Sequence, residues 1–339
     1  MSRLDTLRHE IRAAHHRPEA AVLEGLQAST APDADTRAAA KSRAIGLVRS
    51  IRGSGRPGLM EVFLAEYGLS TNEGVALMCL AEALLRVPDR ETIDDLIEDK
   101  IAPSEWGAHL GRSSSSLVNA STWALMLTGK VLKEDDGPGV ASILHGAVKR
   151  LGEPVIRTAV SRAMKEMGHQ FVLGRDIAEA IKRGGTRAAQ GFTFSYDMLG
   201  EAALTARDAK KYHTAYADAI ARLAGECTHK DIRANPGISI KLSALHPRYE
   251  VGQHDRVMEE LVPATLELAL AARKAGMGLN IDAEEADRLD LSLDVIEAVL
   301  RDPRLAGWDG FGVVVQAYGK RAAPVLDWLY ALSEELDRR

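Results

Sequence analysis

The run ISIKLSA at residues 238–244 has the apolar composition of a buried strand, and three similar runs accompany it: FTFSYDM at 192–198, LNIDAEE at 279–285 and GVVVQAY at 312–318. Helical patterns follow these runs at 200–225, 255–276, 287–301 and 322–336. The alternation of strand and helix is typical of parallel βα units. The sequence therefore predicts an α/β region, which is either a doubly wound sheet or a (β/α)8 barrel.

The two faces of each run separate these architectures. Side chains alternate across a strand, so the runs place apolar residues on one face and polar groups on the other. Both faces of a doubly wound sheet are covered by helices and should be apolar. Polar side chains near the carboxyl ends of barrel strands build active sites. We therefore predict a barrel, with Lys241, Asp282 and Gln316 late in their strands.

The composition excludes several classes of protein. The chain has 339 residues, 46% of them hydrophobic, and 43 Lys and Arg against 48 Asp and Glu give a net charge of −5. This balance argues against an electrostatic grip on nucleic acid or membrane by the whole chain. Cys79 and Cys227 are too few and too far apart for a disulfide framework or a zinc site, which suits a reducing cytoplasm. No secretion signal and no membrane-spanning run is visible, so we predict a cytoplasmic location.

Lys241 is the residue that most directly suggests chemistry. A cation inside an apolar strand is costly unless it is paired, and Asp282 lies at the same depth of the next predicted strand. Such a pair favours a charged lysine that binds a carboxylate over a nucleophilic amine. Two structural explanations stay open: Lys241 protects an edge strand from pairing, or Asp282 caps the helix that follows it.

Three other polar side chains occupy comparable positions. Asp197 and Glu201 flank the end of the first run, although Glu201 at a helix start is stabilised by the helix dipole without any function. Gln316 closes an apolar run, where an amide can hydrogen-bond the edge of a planar heterocycle. The histidines show no metal-ligand spacing, so we predict no metal site.

The first 172 residues read as helical. We expect a helical arm at 1–50 and a helical domain at 51–172, in which Ser70 and Glu73 form a capping box before GVALMCLAEALL. Residues 64–85 scan like a helix-turn-helix, yet the second helix carries no Lys or Arg before Arg86, and direct base readout needs such side chains. No GxGxxG or Walker A loop is present, so classical nucleotide-binding folds are not supported.

Long segments resemble the proline dehydrogenase region of the proline utilization A family, whose members are bifunctional bacterial enzymes of proline catabolism. These segments are FSYDMLGEAALTARDA at 194–209, GISIKLSALHPRYE at 237–250, NIDAEEADRLDLSLD at 280–294 and VVVQAYGKR at 313–321. STNEGVALMCLAEALLRVPD at 70–89 resembles the family's helical segment outside the barrel. The resemblance implies that 173–339 is the first half of a (β/α)8 barrel, preceded by the helical arm and the helical domain.

The resemblance also implies the chemistry. Such an enzyme oxidises L-proline to pyrroline-5-carboxylate with FAD and passes the electrons to a membrane quinone through a peripheral contact at the inner membrane face. Gln316 and Val314 would contact the flavin. NAD would be needed only by an aldehyde dehydrogenase half, and an oligomer is compatible with the family.

Four residues take catalytic-site roles by the same resemblance. Lys241 would lie near the substrate carboxylate, and Asp282 would hold and orient it. Glu201 would be the acidic member of an ion pair that gates the site, with Asp197 as a supporting carboxylate at the strand end. The alternation of the strands points to the same end of the sheet.

Two departures from the family shape the remaining predictions. Members that repress their own operon begin with a ribbon-helix-helix segment, whereas this chain begins with an arm-like helix, so we predict no DNA binding. The family barrel has four more strands, which carry the carboxylate-binding arginines and most flavin contacts. We therefore interpret the chain as the N-terminal part of a longer protein and expect the isolated chain to be inactive and to bind FAD weakly or not at all.

Two other hypotheses stay open on the sequence alone. The first is a Schiff-base lyase on the same fold, with Lys241 as the nucleophile. The second is a non-catalytic helical interaction module at 1–190 joined to a degenerate barrel.

Overall fold

The computed structural model describes residues 2–53 and 172–338 of the chain. The chain divides into two compact units, one formed by Met1–Asp33 with Asp176–Arg339 and the other by Ala34–Arg175. Most of the second unit lies outside the described residues. The predicted helical domain at 51–172, with its capping box at Ser70 and Glu73, falls almost entirely there, so the domain boundaries stay predictions.

We number the helices and strands of the described residues in chain order. The helices are α1 Arg3–His15, α2 Glu19–Thr30, α3 Ala34–Gly53, α4 Ile177–Ala188, α5 Ala206–Leu223, α6 Leu242–Leu245, α7 His254–Ala275, α8 Leu289–Leu300 and α9 Ala322–Glu335. The strands are β1 Ser195–Asp197, β2 Gly237–Ile240, β3 Leu279–Ile281 and β4 Phe311–Val313. Among these helices none is long and apolar enough to cross a membrane.

The four strands form one parallel sheet in the order β1-β2-β3-β4. Each strand is followed by a long helix, so the predicted alternation of strand and helix is confirmed. The register pairs Ile240 with Ile281, which brings the residues that follow β2 and β3 to the same edge of the sheet. The region is therefore a helix-rich α/β structure with parallel strands.

The strands are shorter than the sequence predicts. Lys241 and Asp282 were expected late in their strands, but each is the first residue after one, and Gln316 comes three residues after β4. For Lys241 the cause is a change of hydrogen-bond partner, because its backbone N–H donates to the Tyr216 hydroxyl at 3.2 Å instead of a neighbouring strand. The polar side chains thus start the loops that leave the sheet.

The core lies between the sheet and its helices. Ile238, Ile240, Leu279 and Ile281 are fully or almost fully buried, as expected for the helix-facing column of a sheet. The opposite face holds small and polar groups: Asn280 on β3 donates to the Ser195 hydroxyl on β1 at 3.2 Å. The predicted division into an apolar and a polar face is therefore present.

Helix ends follow ordinary capping chemistry. Thr205 and Asp208 form a capping box at the start of α5, and Ser2 and Asp5 form one at the start of α1. Helix α7 is followed by the cap residue Gly276, which has φ +72°, a left-handed conformation that favours glycine. These caps fix the points at which the loops of the sheet begin and end.

The predicted arm contains three helices, and α1 packs against α9 from the far end of the chain. Leu4, Ile11 and Ala14 of α1 are buried in the core. Burial of such an apolar stripe accounts for the docking of α1. The start of the arm is therefore part of the sheet-containing unit.

Candidate functional site

Four predicted residues meet at the carboxyl ends of β1 and β2 and at the loop after β3. Lys241 Nζ lies 2.9 Å from Asp197 Oδ1, 2.9 Å from Asp282 Oδ2 and 3.3 Å from Glu201 Oε1. We call Lys241, Asp197, Glu201 and Asp282 the lysine cluster. Carboxyl ends of neighbouring parallel strands meet at one edge of the sheet, which explains how residues 85 positions apart come together.

The lysine cluster carries excess negative charge and is partly open. One ammonium group faces three carboxyl groups. The side chain of Glu201 is 2% exposed, whereas those of Lys241 and Asp197 are 22% and 39% exposed. Burial alone would lower the pKa of Lys241, but hydrogen bonds to Asp197 and Asp282 outweigh it and raise that pKa above its usual value. Lys241 is therefore a firmly charged group at the mouth of the site.

The structure contradicts the two purely structural explanations for Lys241 and Asp282. Strand β2 lies between β1 and β3, so Lys241 does not protect an edge strand. Helix α8 begins at Leu289, seven residues after Asp282, so Asp282 is not its cap. Instead Asp282 Oδ1 accepts from the Ala283 N–H at 2.9 Å while Oδ2 contacts Lys241, which orients the carboxylate toward the lysine.

The charge state of Lys241 also bears on the lyase hypothesis. A Schiff base forms from a neutral amine, and lysines that form one have a lowered pKa. The carboxylates around Lys241 shift its pKa the other way. The geometry therefore favours recognition of an anion by Lys241 over nucleophilic attack.

Tyr216 belongs to the site, although sequence reasoning missed it. Its ring is fully buried, and its hydroxyl donates to Glu201 Oε1 at 3.0 Å. Burial, followed by the nearby Glu201 charge, raises the pKa of Tyr216 well above its usual value. The signal was present in the sequence, because Tyr216 shares the buried face of α5 with Ala209, Ile220 and Leu223, and a buried tyrosine hydroxyl needs a partner.

Glu284 is a second missed residue. Its Oε1 accepts from the backbone N–H of Ser243 at 3.0 Å, and the Ser243 carbonyl accepts from Ala203 N–H at 3.1 Å. These bonds join the loops that follow β1 and β3 to α6, the short helix after β2. Hydrogen bonds between these segments therefore stabilise the positions of the lysine cluster residues.

Gln316 and Val314 lie apart from the lysine cluster, beyond β4. Together with Asp282 they line a cavity of about 340 Å³, which lies between the loops that follow β3 and β4 and helices α8 and α9. Gln316 Nε2 donates to the Ala283 carbonyl at 3.0 Å, which orients the amide, and Val314 is 41% exposed. The cavity volume lies within the usual range of small-molecule pockets.

The buried histidine His246 contacts polar groups of the fold. His246 is 2% exposed, accepts from the Arg248 N–H and lies 3.2 Å from Glu260 Oε2. Within 2–53 and 172–338, no group of three or more His, Cys, Asp or Glu side chains is arranged to hold a metal ion.

Three family models match the chain. "Proline utilization A proline dehydrogenase N-terminal domain" matches residues 5–52, "DNA-binding domain of Proline dehydrogenase" matches 59–171, and "Proline dehydrogenase" matches 180–339. The last match contains the whole sheet and the lysine cluster.

Curated relatives and solved structures agree with these matches. The Bifunctional protein PutA of Escherichia coli K12 is 47% identical over 336 residues, which are 98% of this chain and 26% of that protein. The protein of the same name from Rhizobium meliloti is 49% identical over 334 residues, 98% of this chain and 27% of that protein. A crystal structure of bifunctional proline utilization A is similar with a TM-score of 0.65 and 43% identity, covering 96% of this chain and 32% of that one. The chain thus spans about a quarter of the length of these curated relatives.

The prediction of no DNA binding is wrong, because the model for 59–171 describes a DNA-binding domain. The prediction depended on one helix-turn-helix-like stretch with few cations and on the missing ribbon-helix-helix segment. DNA affinity comes largely from phosphate contacts, which residues outside a recognition helix can supply. The charge of a single helix was therefore too narrow a criterion. The segment concerned lies outside the described residues.

Proposed function

Because the chain belongs to the proline utilization A family, we propose that the lysine cluster is part of a proline dehydrogenase site that oxidises L-proline to pyrroline-5-carboxylate. The observation that carries the proposal is the contact of Lys241 Nζ with Asp197, Glu201 and Asp282 at the carboxyl edge of the sheet. The activity is proposed for the full-length protein, since the chain covers only part of its relatives.

The fold proposed around this site is a barrel. The parallel order β1-β2-β3-β4, with a helix after each strand and polar groups on one face, would be the first half of a (β/α)8 barrel. Further strands would then close the inner face over the lysine cluster. Barrel active sites lie at the carboxyl ends of the strands, where this cluster lies.

The role proposed for Lys241 is to bind the substrate carboxylate. Its ammonium is kept charged by Asp197 and Asp282, so it offers a hydrogen-bonding cation without acting as a base. Asp282 would orient Lys241, and Asp197 would support it from β1. Glu201 would be the acidic half of an ion pair that gates the site. The oxidation removes a hydride from the ring carbon next to nitrogen and a proton from nitrogen, and a neutral amine needs no strong base for this loss.

The cofactor proposed is FAD, and the residues present fit it. The cavity of about 340 Å³ next to the cluster has an exposed apolar side chain, Val314, and an oriented amide, Gln316, which suits a flat ring system with polar edges. When bound, the flavin would accept the hydride equivalent from proline. Val314 and Gln316 would hold it at the side of the site nearest Asp282.

The remaining family features are proposed for the full-length protein. Its electrons would pass to a membrane quinone through a peripheral contact at the inner face of the membrane, from a protein that is otherwise cytoplasmic. An aldehyde dehydrogenase half with NAD would take the product further.

An anaerobic absorption spectrum of the full-length protein tests the proposal. We expect a flavin band that bleaches when L-proline is added. Pyrrolidine, which is proline without its carboxylate, is the matched control and should bleach the band at least about tenfold more slowly at equal concentration, since Lys241 would have no anion to hold. A flavin band that ignores L-proline, or the absence of a flavin, would overturn the proposal.

A further inference from the structure

Tyr216 connects the two most buried parts of the lysine cluster. Its hydroxyl accepts the backbone N–H of Lys241 at 3.2 Å and donates its only hydrogen to Glu201 Oε1 at 3.0 Å. Because the ring is fully buried on α5, the hydroxyl has little freedom to move. Tyr216 therefore fixes where the Glu201 carboxylate lies.

The ammonium of Lys241 is surrounded by carboxyl groups before any substrate binds. It has three N–H groups, and three carboxyl oxygens surround it, at 2.9 Å, 2.9 Å and 3.3 Å. A substrate carboxylate that binds this ammonium would take the place of one of these partners. The contact with Glu201 is the longest of the three, so it is the one that a substrate carboxylate replaces most readily.

Glu201 can be released only if another donor holds it. Its side chain is 2% exposed, and Oε2 is buried without a hydrogen-bond partner among the described residues. A buried carboxylate that lost its last donor would be strongly destabilised. Oε1 already has a second donor, the Tyr216 hydroxyl.

We propose that Tyr216 is a positioning residue that retains Glu201 Oε1 when Lys241 turns from Glu201 to the substrate carboxylate. This inference rests on the proposed function, since it assigns Lys241 to that carboxylate. Tyr216 touches no substrate. It acts by making the Lys241–Glu201 contact the one that is exchanged, while Asp197 and Asp282 keep their hold on the ammonium.

The test is Tyr216→Phe in the full-length protein. Without the hydroxyl, Lys241 is the one side-chain donor left to Glu201 among the described residues, so Glu201 competes with the substrate carboxylate for the ammonium. We therefore expect KM for proline to rise about tenfold while kcat stays within about twofold. Tyr212→Phe is the matched control, because Tyr212 lies one turn earlier on α5 and its hydroxyl contacts the Gly200 carbonyl, not Glu201. It should leave KM and kcat unchanged.

A double-mutant cycle separates positioning from general loosening. The double variant Tyr216→Phe/Glu201→Gln should have nearly the same KM for proline as Glu201→Gln alone, because both changes act on the same exchange of partners at Lys241. Additive effects, or equal KM values for Tyr216→Phe and Tyr212→Phe, would overturn the inference.

Reductive methylation of Lys241, followed by mass spectrometry, gives a readout that needs no turnover. Glu201 should pair more closely with Lys241 when the hydroxyl is gone, so methylation should be about threefold slower in Tyr216→Phe than in wild type. An unchanged rate would contradict the inference. If the flavin band of the wild-type protein does not bleach with proline, the proposed function is wrong. The methylation rates would still test whether Tyr216 controls the contact between Lys241 and Glu201.

Discussion

Lys241 and Arg8 are cations in the same compact unit that each contact two aspartates, and the surroundings of the two differ. Lys241 faces three carboxyl groups alone and is 22% exposed. The side chain of Arg8 is 9% exposed, contacts Asp290 and Asp294 of α8, and lies with its guanidinium 5.3 Å from the centre of the Trp328 ring. Arg12 also contacts Asp290, so two arginines face two aspartates there.

The difference is the one expected between a ligand-binding group and a structural ion-pair group. The group of Arg8, Arg12, Asp290 and Asp294, which we call the arginine cluster, is balanced in charge and sealed by an aromatic ring. The lysine cluster has spare negative charge and an open side. Imbalance and access, more than burial of a charge, distinguish groups that are arranged for a ligand.

Lys241→Met should have the largest effect on activity. Loss of the ammonium removes the anchor for the substrate carboxylate, so kcat/KM for proline in the full-length protein should fall about 100-fold or more. Steady-state kinetics measure the change. Lys211→Met is the control, because Lys211 is exposed and lies over the Tyr212 ring. Retained kcat/KM in Lys241→Met would mean that the two clusters do not differ in function.

Arg8→Met should have the opposite profile. It leaves Asp294 without its buried partner and should lower the free energy of unfolding by about 3 kcal/mol, with kcat/KM unchanged. Denaturant unfolding provides the measurement. Arg12→Met, at an arginine whose side chain is 59% exposed, should cost less than about 1 kcal/mol. If Arg8→Met lost activity under conditions in which it is fully folded, Arg8 of the arm would also contribute to the site.

Alkaline pH should affect the two clusters differently. The pKa of Lys241 is raised in the folded protein, so its stabilisation is complete below the unfolded value near pH 10 and is lost as the pH rises through the higher native value. Arginine side chains in general keep their charge over the whole accessible pH range. Above about pH 10, the free energy of unfolding of wild type should fall more steeply with pH than that of Lys241→Met. The difference in slope should be up to ~1 kcal/mol per pH unit after solvent screening, and Arg8→Met should keep the wild-type slope. Unfolding curves at several pH values decide this, and equal slopes would contradict it.

Loss of a helix cap should give the smallest effect, and a similar one at both clusters. Ser2 caps α1, which carries Arg8, and Thr205 caps α5, which carries Tyr216. Ser2→Ala and Thr205→Ala should each lower the free energy of unfolding by about 1 kcal/mol. The shift of the denaturation midpoint measures it. A loss above about 2 kcal/mol in either variant would show that the cap does more than end a helix.

The sequence predicted the part of the structure that follows from local periodicity. The four strands, their helices and the approach of Lys241 to Asp282 all derive from a period of two along a strand and from the common edge of parallel strands. Strand lengths were less accessible, because the end of β2 depends on the Tyr216 hydroxyl from another element.

The residues that the sequence did not reveal act across elements. Glu284 accepts from the backbone N–H of Ser243 in α6, and Arg8 contacts Asp294 at a separation of 286 residues. Neither contact has a local signature, since each depends on how helices and loops pack. The DNA-binding assignment failed for a related reason, because it was judged from one helix at a time.

The docking of α1 on α8 and α9 has a consequence for the order of events during synthesis. The ribosome delivers α1 about 290 residues before the partners of this helix, which at about 5–20 residues per second is a delay of ~15–60 s. Throughout that interval Leu4 and Ile11 lack their partners in the folded core. The start of the arm thus completes its contacts only after α9 has emerged, and a chain that has not yet reached α9 would leave this apolar stripe exposed.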